Sequence, residues 1–175
     1  MSEYYLNTCN INEWVGNLAV GDKVYLSGTV YTARDAAHKR IVALLESDSP
    51  LPFELDGSVI YYAGPTPEKN NLAIGSIGPT TSSRMDGFAP LLIEKGLKAM
   101  IGKGNRSEAV VQAMQFHNCV YFAAIGGAGA LYSRCVTECQ VVAFEDLGCE
   151  SIKKLIVKDF PVVVAIDICG NTLYK

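Results

Sequence analysis

The stretch LKAMIGKGNRSEAVVQAMQFHNCVYFAAI, residues 97–125, reads as strand, helix, strand. Residues 97–101 read as a strand, apolar apart from Lys98. Ser107 stands where a helix cap belongs, and Val110, Ala113, Met114 and His117 then share one helical face. Residues 120–125 form a second apolar run, expected as a buried strand. A helix between two such strands implies parallel pairing through a right-handed crossover. Upstream, a short strand is expected at 72–77, then a Thr/Ser turn. A helix follows from the Ser83/Asp86 capping pair to about Lys95, stopped by Gly96.

Further toward the N-terminus, Ile11, Trp14, Val15 and Leu18 fall at helical spacing behind Asn10, with Glu13 as its capping partner. A strand is expected at 24–30. Thr32 and Asp35 look like the next capping pair, and Ala37, Ile41, Leu44 and Leu45 give that helix a buried face ending near Ser47. Residues 48–58 are turn-rich, and 59–63 (VIYYA) read as a strand. Downstream, a glycine turn and short helix at 126–135 precede strands at 140–144 and 160–168 and a Gly170-Asn171 turn. The first half has short strands and long loops, so the expectation is an α/β fold with a mixed β-sheet flanked by helices.

The chain has 175 residues, enough for one domain spanning 1–175 with a substantial core. A net charge of −3 with no Lys/Arg run argues against a nucleic-acid surface. No apolar run approaches the roughly 18 residues of a membrane span, and no secretory signal is visible. A soluble, cytoplasmic chain is expected. Only 19% of residues are charged, against about 25% in an average domain, which suggests that another chain covers part of the surface. The six cysteines form no CxxC pair. Cys119 and Cys169 border apolar runs and are expected to be buried thiols, and the set is not expected to hold a metal.

Against this mildly acidic background, cations recur at expected helix starts. Arg34 opens the second helix. Arg84 lies in Gly78-Pro79-Thr80-Thr81-Ser82-Ser83-Arg84, and Lys103 and Arg106 lie in GKGNRS before the next helix. A cation at a helix N-terminus opposes the macrodipole, and a bound anion would offset that cost. Three such ends suit a small diacid. Asp35 reads as part cap, part orienting partner for Arg34 or His38, and His38 lies one turn beyond Arg34, either reaching the pocket or exposed at the surface. Arg106 is either solvated or part of this group, and His117 reads as a boundary residue. Gly126-Gly127-Ala128-Gly129 after a strand, with Glu145 beyond it, offers a rival reading as a non-catalytic dinucleotide-binding module. The fingerprint is incomplete, with Tyr132 at the third glycine position.

VYLSGTVYTARDAAHKR, GPTTSSRMDGF, KAMIGKGNRS, AIGGAGAL, AFEDLG and KDFPVVVAIDICGN, in that order, resemble the C-terminal domain, or separate β subunit, of class I (iron–sulfur) fumarases and the related tartrate dehydratases. The resemblance implies a swivelling β/β/α-type domain and reversible hydration of fumarate to (S)-malate. It further implies a [4Fe-4S] cluster ligated by a larger cysteine-bearing α subunit, and hence a hetero-oligomer with no cluster ligand in this chain. Carried over, Arg34, Arg84 and Lys103 would clamp the dicarboxylate substrate, with Thr81 beside them. Thr80 would be the base at the carbon not carrying the hydroxyl, because the family places that base four residues before the arginine. Asp35 and His38 would stand behind these groups. A threonine hydroxyl acts as a base only amid concentrated positive charge and with a proton relay, which would come from the partner. A β subunit of L(+)-tartrate dehydratase, or of another hydroxy-diacid dehydratase, fits the same residues.

Overall fold

The structure is a computed structural model that describes residues 1–68 and 72–174. Among the described residues, one mixed sheet contains β1 (Glu3–Asn7), β2 (Lys23–Thr32), β3 (Val59–Tyr61), β4 (Ala99–Gly102), β5 (Val120–Ala123), β6 (Val136–Ala143) and β7 (Ile152–Ile166). The helices are α1 (Ile11–Trp14), α2 (Asp35–Glu46), α3 (Ala89–Glu94), α4 (Glu108–His117) and α5 (Gly129–Arg134). None is long and apolar enough to cross a membrane.

The strand order is β1-β2-β3-β4-β5-β7-β6. Strands β1 through β5 pair in parallel, and β7 runs antiparallel to β5, β6 and β2. Because β7 reaches both β5 and β2, the sheet closes on itself like a barrel. Its bend comes at the irregularity between Leu26 and Gly28. Gly28 has φ +111°, and a Cβ there would stand 2.7 Å from Asn7 Oδ1, so only glycine suits that bulge.

Alternation along the central strands divides the core. Tyr61, Ile101 and Phe122 face inward with Leu26 and Phe160. Ile60, Tyr62, Met100 and Tyr121 face outward against Ile41 of α2, Leu92 of α3 and Met114 of α4. Both faces are covered, which is why VIYYA and CVYFAAI are unbroken apolar runs.

The mixed α/β sheet and the parallel β4–β5 pair follow the sequence expectation, whereas the strand on the other side of β4 is β3 rather than residues 72–77. Several elements differ. Residues 72–77 form no strand; Gly75 N–H instead bonds the Thr66 carbonyl at 3.1 Å, folding the segment back on its own loop. The helix expected from Ser83 to Lys95 is broken into a 3-10 turn, Ser82–Met85, and α3. Residues 86–88, with Gly87 at their centre, separate them, and Pro90 in the first turn of α3 has no N–H to continue the earlier turn. Neither the Thr32/Asp35 nor the Ser83/Asp86 capping bond forms. Thr32 Oγ1 accepts from Lys153 N across the sheet, and Asp86 accepts from Arg106 and Ser107. Cys119 is enclosed and burial pushes its thiol up to about 12, whereas Cys169 is exposed on the turn closed by Asp167.

At the end of β4, an added Cβ on Gly102 would collide with Ser82 Oγ and stand 3.1 Å from the Tyr62 ring. Gly102→Ala is expected to destabilise the chain by about 1–3 kcal/mol in urea unfolding, as overpacked cores do. An unchanged midpoint would contradict this close approach.

Candidate functional site

The C-terminal ends of parallel strands leave backbone groups without partners, and side chains from separate loops meet there. After β2, Ala33 N–H bonds the Tyr61 carbonyl at 3.2 Å, and Arg34 follows as the N-cap of α2 in extended backbone. After β3, the Tyr62 carbonyl accepts from Thr80 N–H at 2.7 Å. Thr81 then forms a parallel bridge with Lys103, and Ser82 N–H bonds the Lys103 carbonyl at 2.9 Å. The Thr80-Thr81 segment thereby runs alongside the end of β4. Beyond β5, Gly126 borders Lys103; a Cβ there would be 3.8 Å from Lys103 Cδ.

Side-chain contacts link these loops. Arg84 Nη2 pairs with Asp35 Oδ2 at 2.8 Å, and Arg84 Nε donates to Oδ1 at 3.0 Å. Arg34 Nε lies 3.2 Å from Glu150 Oε1. Lys103 is exposed and has no ion-pair partner among the described residues. The loops that carry Arg34, Thr80, Thr81, Arg84 and Lys103 are therefore joined at one edge of the sheet, through Asp35–Arg84 and Thr81–Lys103.

Under that edge lies a buried cation. The Arg106 side chain is fully enclosed, pairs with Asp86 at 2.7 Å, and stacks over Tyr62 and Tyr121 at 5.3 and 5.1 Å. Asp86 Oδ2 also accepts from Ser107 N–H at 2.6 Å. The Tyr121 hydroxyl bridges Ser82 Oγ and the Gly104 carbonyl, at 2.8 and 2.9 Å. These bonds fix the turn carrying Thr80, Thr81 and Arg84 relative to the loop carrying Lys103.

Four expectations are corrected. Asp35 pairs with Arg84 rather than with Arg34 or His38. His38 is fully buried and does not reach the surface, because it shares the inner face of α2 with Ala37 and Ile41. Its Nδ1 lies 2.8 Å from the Arg34 carbonyl, so Nδ1 carries the proton, and its ring packs against Tyr62 and Phe88. Burial holds its pKa down to about 4. Arg106 is not solvated. Arg84 does not stand at a helix start: it lies in the last turn of the 3-10 segment Ser82–Met85, paired with Asp35, while Arg34 caps α2 beside Glu150. The sequence reading missed Glu150, Asp86 and Tyr121 as partners, since each contact joins segments far apart in the chain. Of the glycines in 126–129, Gly127 takes a left-handed φ of +81° and Gly129 serves close packing. A Cβ on Gly129 would stand 2.9 Å from Gly78 N, and Tyr132 accepts from Ile125 N–H at 2.7 Å.

Burial of neutral His38 has a consequence for stability. An unfolded chain protonates this ring near pH 6.5, whereas the native one does so near 4. Its contribution is complete above 6.5 and is lost as pH falls toward 4, by roughly 3 kcal/mol in all. His38→Asn should flatten the stability-versus-pH slope between those values in chemical unfolding. Equal slopes for both proteins would contradict the burial of a neutral imidazole.

Comparison with known proteins places this geometry in a family. The model of the fumarase C-terminus matches residues 2–175. The chain is 40% identical to a protein assigned as an L(+)-tartrate dehydratase subunit beta from Methanocaldococcus jannaschii, covering 99% of this chain and 91% of that one. It is 37% identical to fumarate hydratase 2 of Leishmania major, over 94% of this chain. It is also 37% identical to the anaerobic class I fumarate hydratase of Escherichia coli, over 89% of this chain. It spans only 29% of the length of each of those two enzymes. The chain belongs to the fumarase C-terminus family.

Proposed function

We propose that this chain is the β subunit of a two-subunit class I fumarate hydratase, a hydro-lyase that interconverts fumarate and (S)-malate and turns over only with its α subunit. What supports this reading is that the loops carrying Arg34, Arg84, Lys103 and the Thr80-Thr81 turn lie at the same ends of the parallel strands and are joined by the Asp35–Arg84 pair and the Thr81–Lys103 bridge, in a chain of this family. The guanidiniums and the ammonium hold the two substrate carboxylates through charge-assisted hydrogen bonds. Thr80 moves the proton at the carbon that does not take the hydroxyl. In hydration its O–H gives a proton to that carbon, and in dehydration the deprotonated oxygen removes it. Of the two threonines, Thr81 is the more exposed, while Thr80 is half-buried with its backbone fixed to Tyr62.

Among the described residues no three His, Cys, Asp or Glu side chains converge to hold a metal. We assign the cluster's ligands to the larger α subunit. The barrel-like closure through β7 supports the swivelling β/β/α type, and six free thiols suit a reducing, cytoplasmic compartment. A second reading, the β subunit of an L(+)-tartrate dehydratase, is favoured by the near-equal length of the Methanocaldococcus jannaschii relative. Assaying the assembled complex under anaerobic conditions with fumarate and with L(+)-tartrate separates the two.

In that complex Arg34→Ala or Arg84→Ala should lower kcat/KM by at least about 100-fold, since each hydrogen bond to a charged group is worth about 1.5–3 kcal/mol. Near-normal turnover in either variant would contradict the clamp. Thr80→Val should reduce kcat by about 10²–10⁴-fold with little change in KM, as loss of a general base does. Thr81→Val should cost far less, and the reverse order would exchange their roles.

A further inference from the structure

Both arginines of the site have a carboxylate from a distant part of the chain beside Nε, hydrogen-bonded for Arg84 and ion-paired for Arg34. Asp35 occupies the Nε–Nη2 side of Arg84. Glu150 stands 3.2 Å from Nε of Arg34, in a pair whose side chains are only 23% and 24% exposed. A guanidinium presents its N–H groups along a side edge that includes Nε and an end edge made by the two Nη groups. With the side edge taken, the end edge remains to accept a carboxylate in a fork. Arg34 Nη1 passes over Gly64, where a Cβ would come within 2.8 Å, so the absence of a side chain there leaves that end its room.

Nε of Arg34 is shielded from solvent and makes no hydrogen bond, which leaves Glu150 as its compensating charge. Glu150 ends the 3-10 segment Glu145–Glu150. That segment is fastened to α2 a second time: Arg40 donates to Asp146 at 2.8 Å and lies over the Phe144 ring at 5.1 Å. Glu150 is thus delivered to Arg34 by an anchored strap.

We infer that Glu150 is a positioning residue for Arg34, holding the guanidinium by its Nε side so that its Nη edge meets one carboxylate of the substrate. The inference rests on the reading of Arg34 as a carboxylate ligand. It has an opposite sign from simple electrostatics: removing a negative charge beside the site would by Coulomb attraction alone tighten a dianion.

The test is a double-mutant cycle in the assembled complex, with steady-state kinetics on fumarate, or on L(+)-tartrate if that is the diacid turned over. Glu150→Gln should raise KM about 10-fold, with a smaller change in kcat, and change KM less than about 2-fold when introduced beside Arg34→Ala. A lowered or unchanged KM for Glu150→Gln, with a raised KM for Arg34→Ala, would overturn the positioning role and leave Arg34 as a ligand. An equal rise in KM in both backgrounds would overturn it too, marking a structural effect not routed through Arg34. An unchanged KM for Arg34→Ala would remove the ligand reading itself.

Discussion

The buried ion pair between Arg106 and Asp86 is the contact on which the geometry of the site depends. Arg106 leaves water entirely, and its charge is met by one carboxylate and by the faces of Tyr62 and Tyr121. A desolvated cation tolerates no other arrangement cheaply; breaking a buried pair from one side costs about 3–5 kcal/mol. Asp86 ends the Thr80-to-Arg84 turn, and Arg106 follows the Lys103 loop. Their pairing therefore fixes the distance between groups that would act on a single small substrate. The Thr81–Lys103 bridge repeats the constraint in the backbone.

Above this foundation the edge of the sheet concentrates positive charge without leaving it uncompensated. Arg34 and Arg84 each keep a carboxylate, from Glu150 and Asp35, while Lys103 stands exposed. In the free chain those carboxylates limit repulsion between neighbouring cations. His38, neutral and enclosed, supports the same edge from beneath by donating Nδ1–H to the Arg34 carbonyl.

The centre of the fold was legible because β3, β4 and β5 are covered on both faces, so their sequences are continuous apolar runs that fit few other structures. Strand β1 was not, because EYYLN at a sheet edge leaves Tyr5 exposed and carries little pattern. The first half of β7 was hidden by Lys153 and Lys154, which lie half-buried across from β6 and β2. His38 was ambiguous because Lys39 and Arg40 follow it, although helical rotation turns them away from its face. Local spacing marked Arg34, Arg84 and Lys103 as cations near helix starts, and the motif order assigned them to a single site. The carboxylates that orient the arginines left no local signal, since Glu150 and Asp35 reach them only through the tertiary fold.

A crystal structure of this chain assembled with the proposed α subunit, soaked with (S)-malate, tests the central claim most directly. The malate carboxylates should lie about 3 Å from the Nη groups of Arg34 and Arg84 and from Lys103 Nζ, with the Thr80 hydroxyl turned toward the methylene carbon. Malate bound elsewhere, or held at this edge by other side chains while those three cations face solvent, would contradict it.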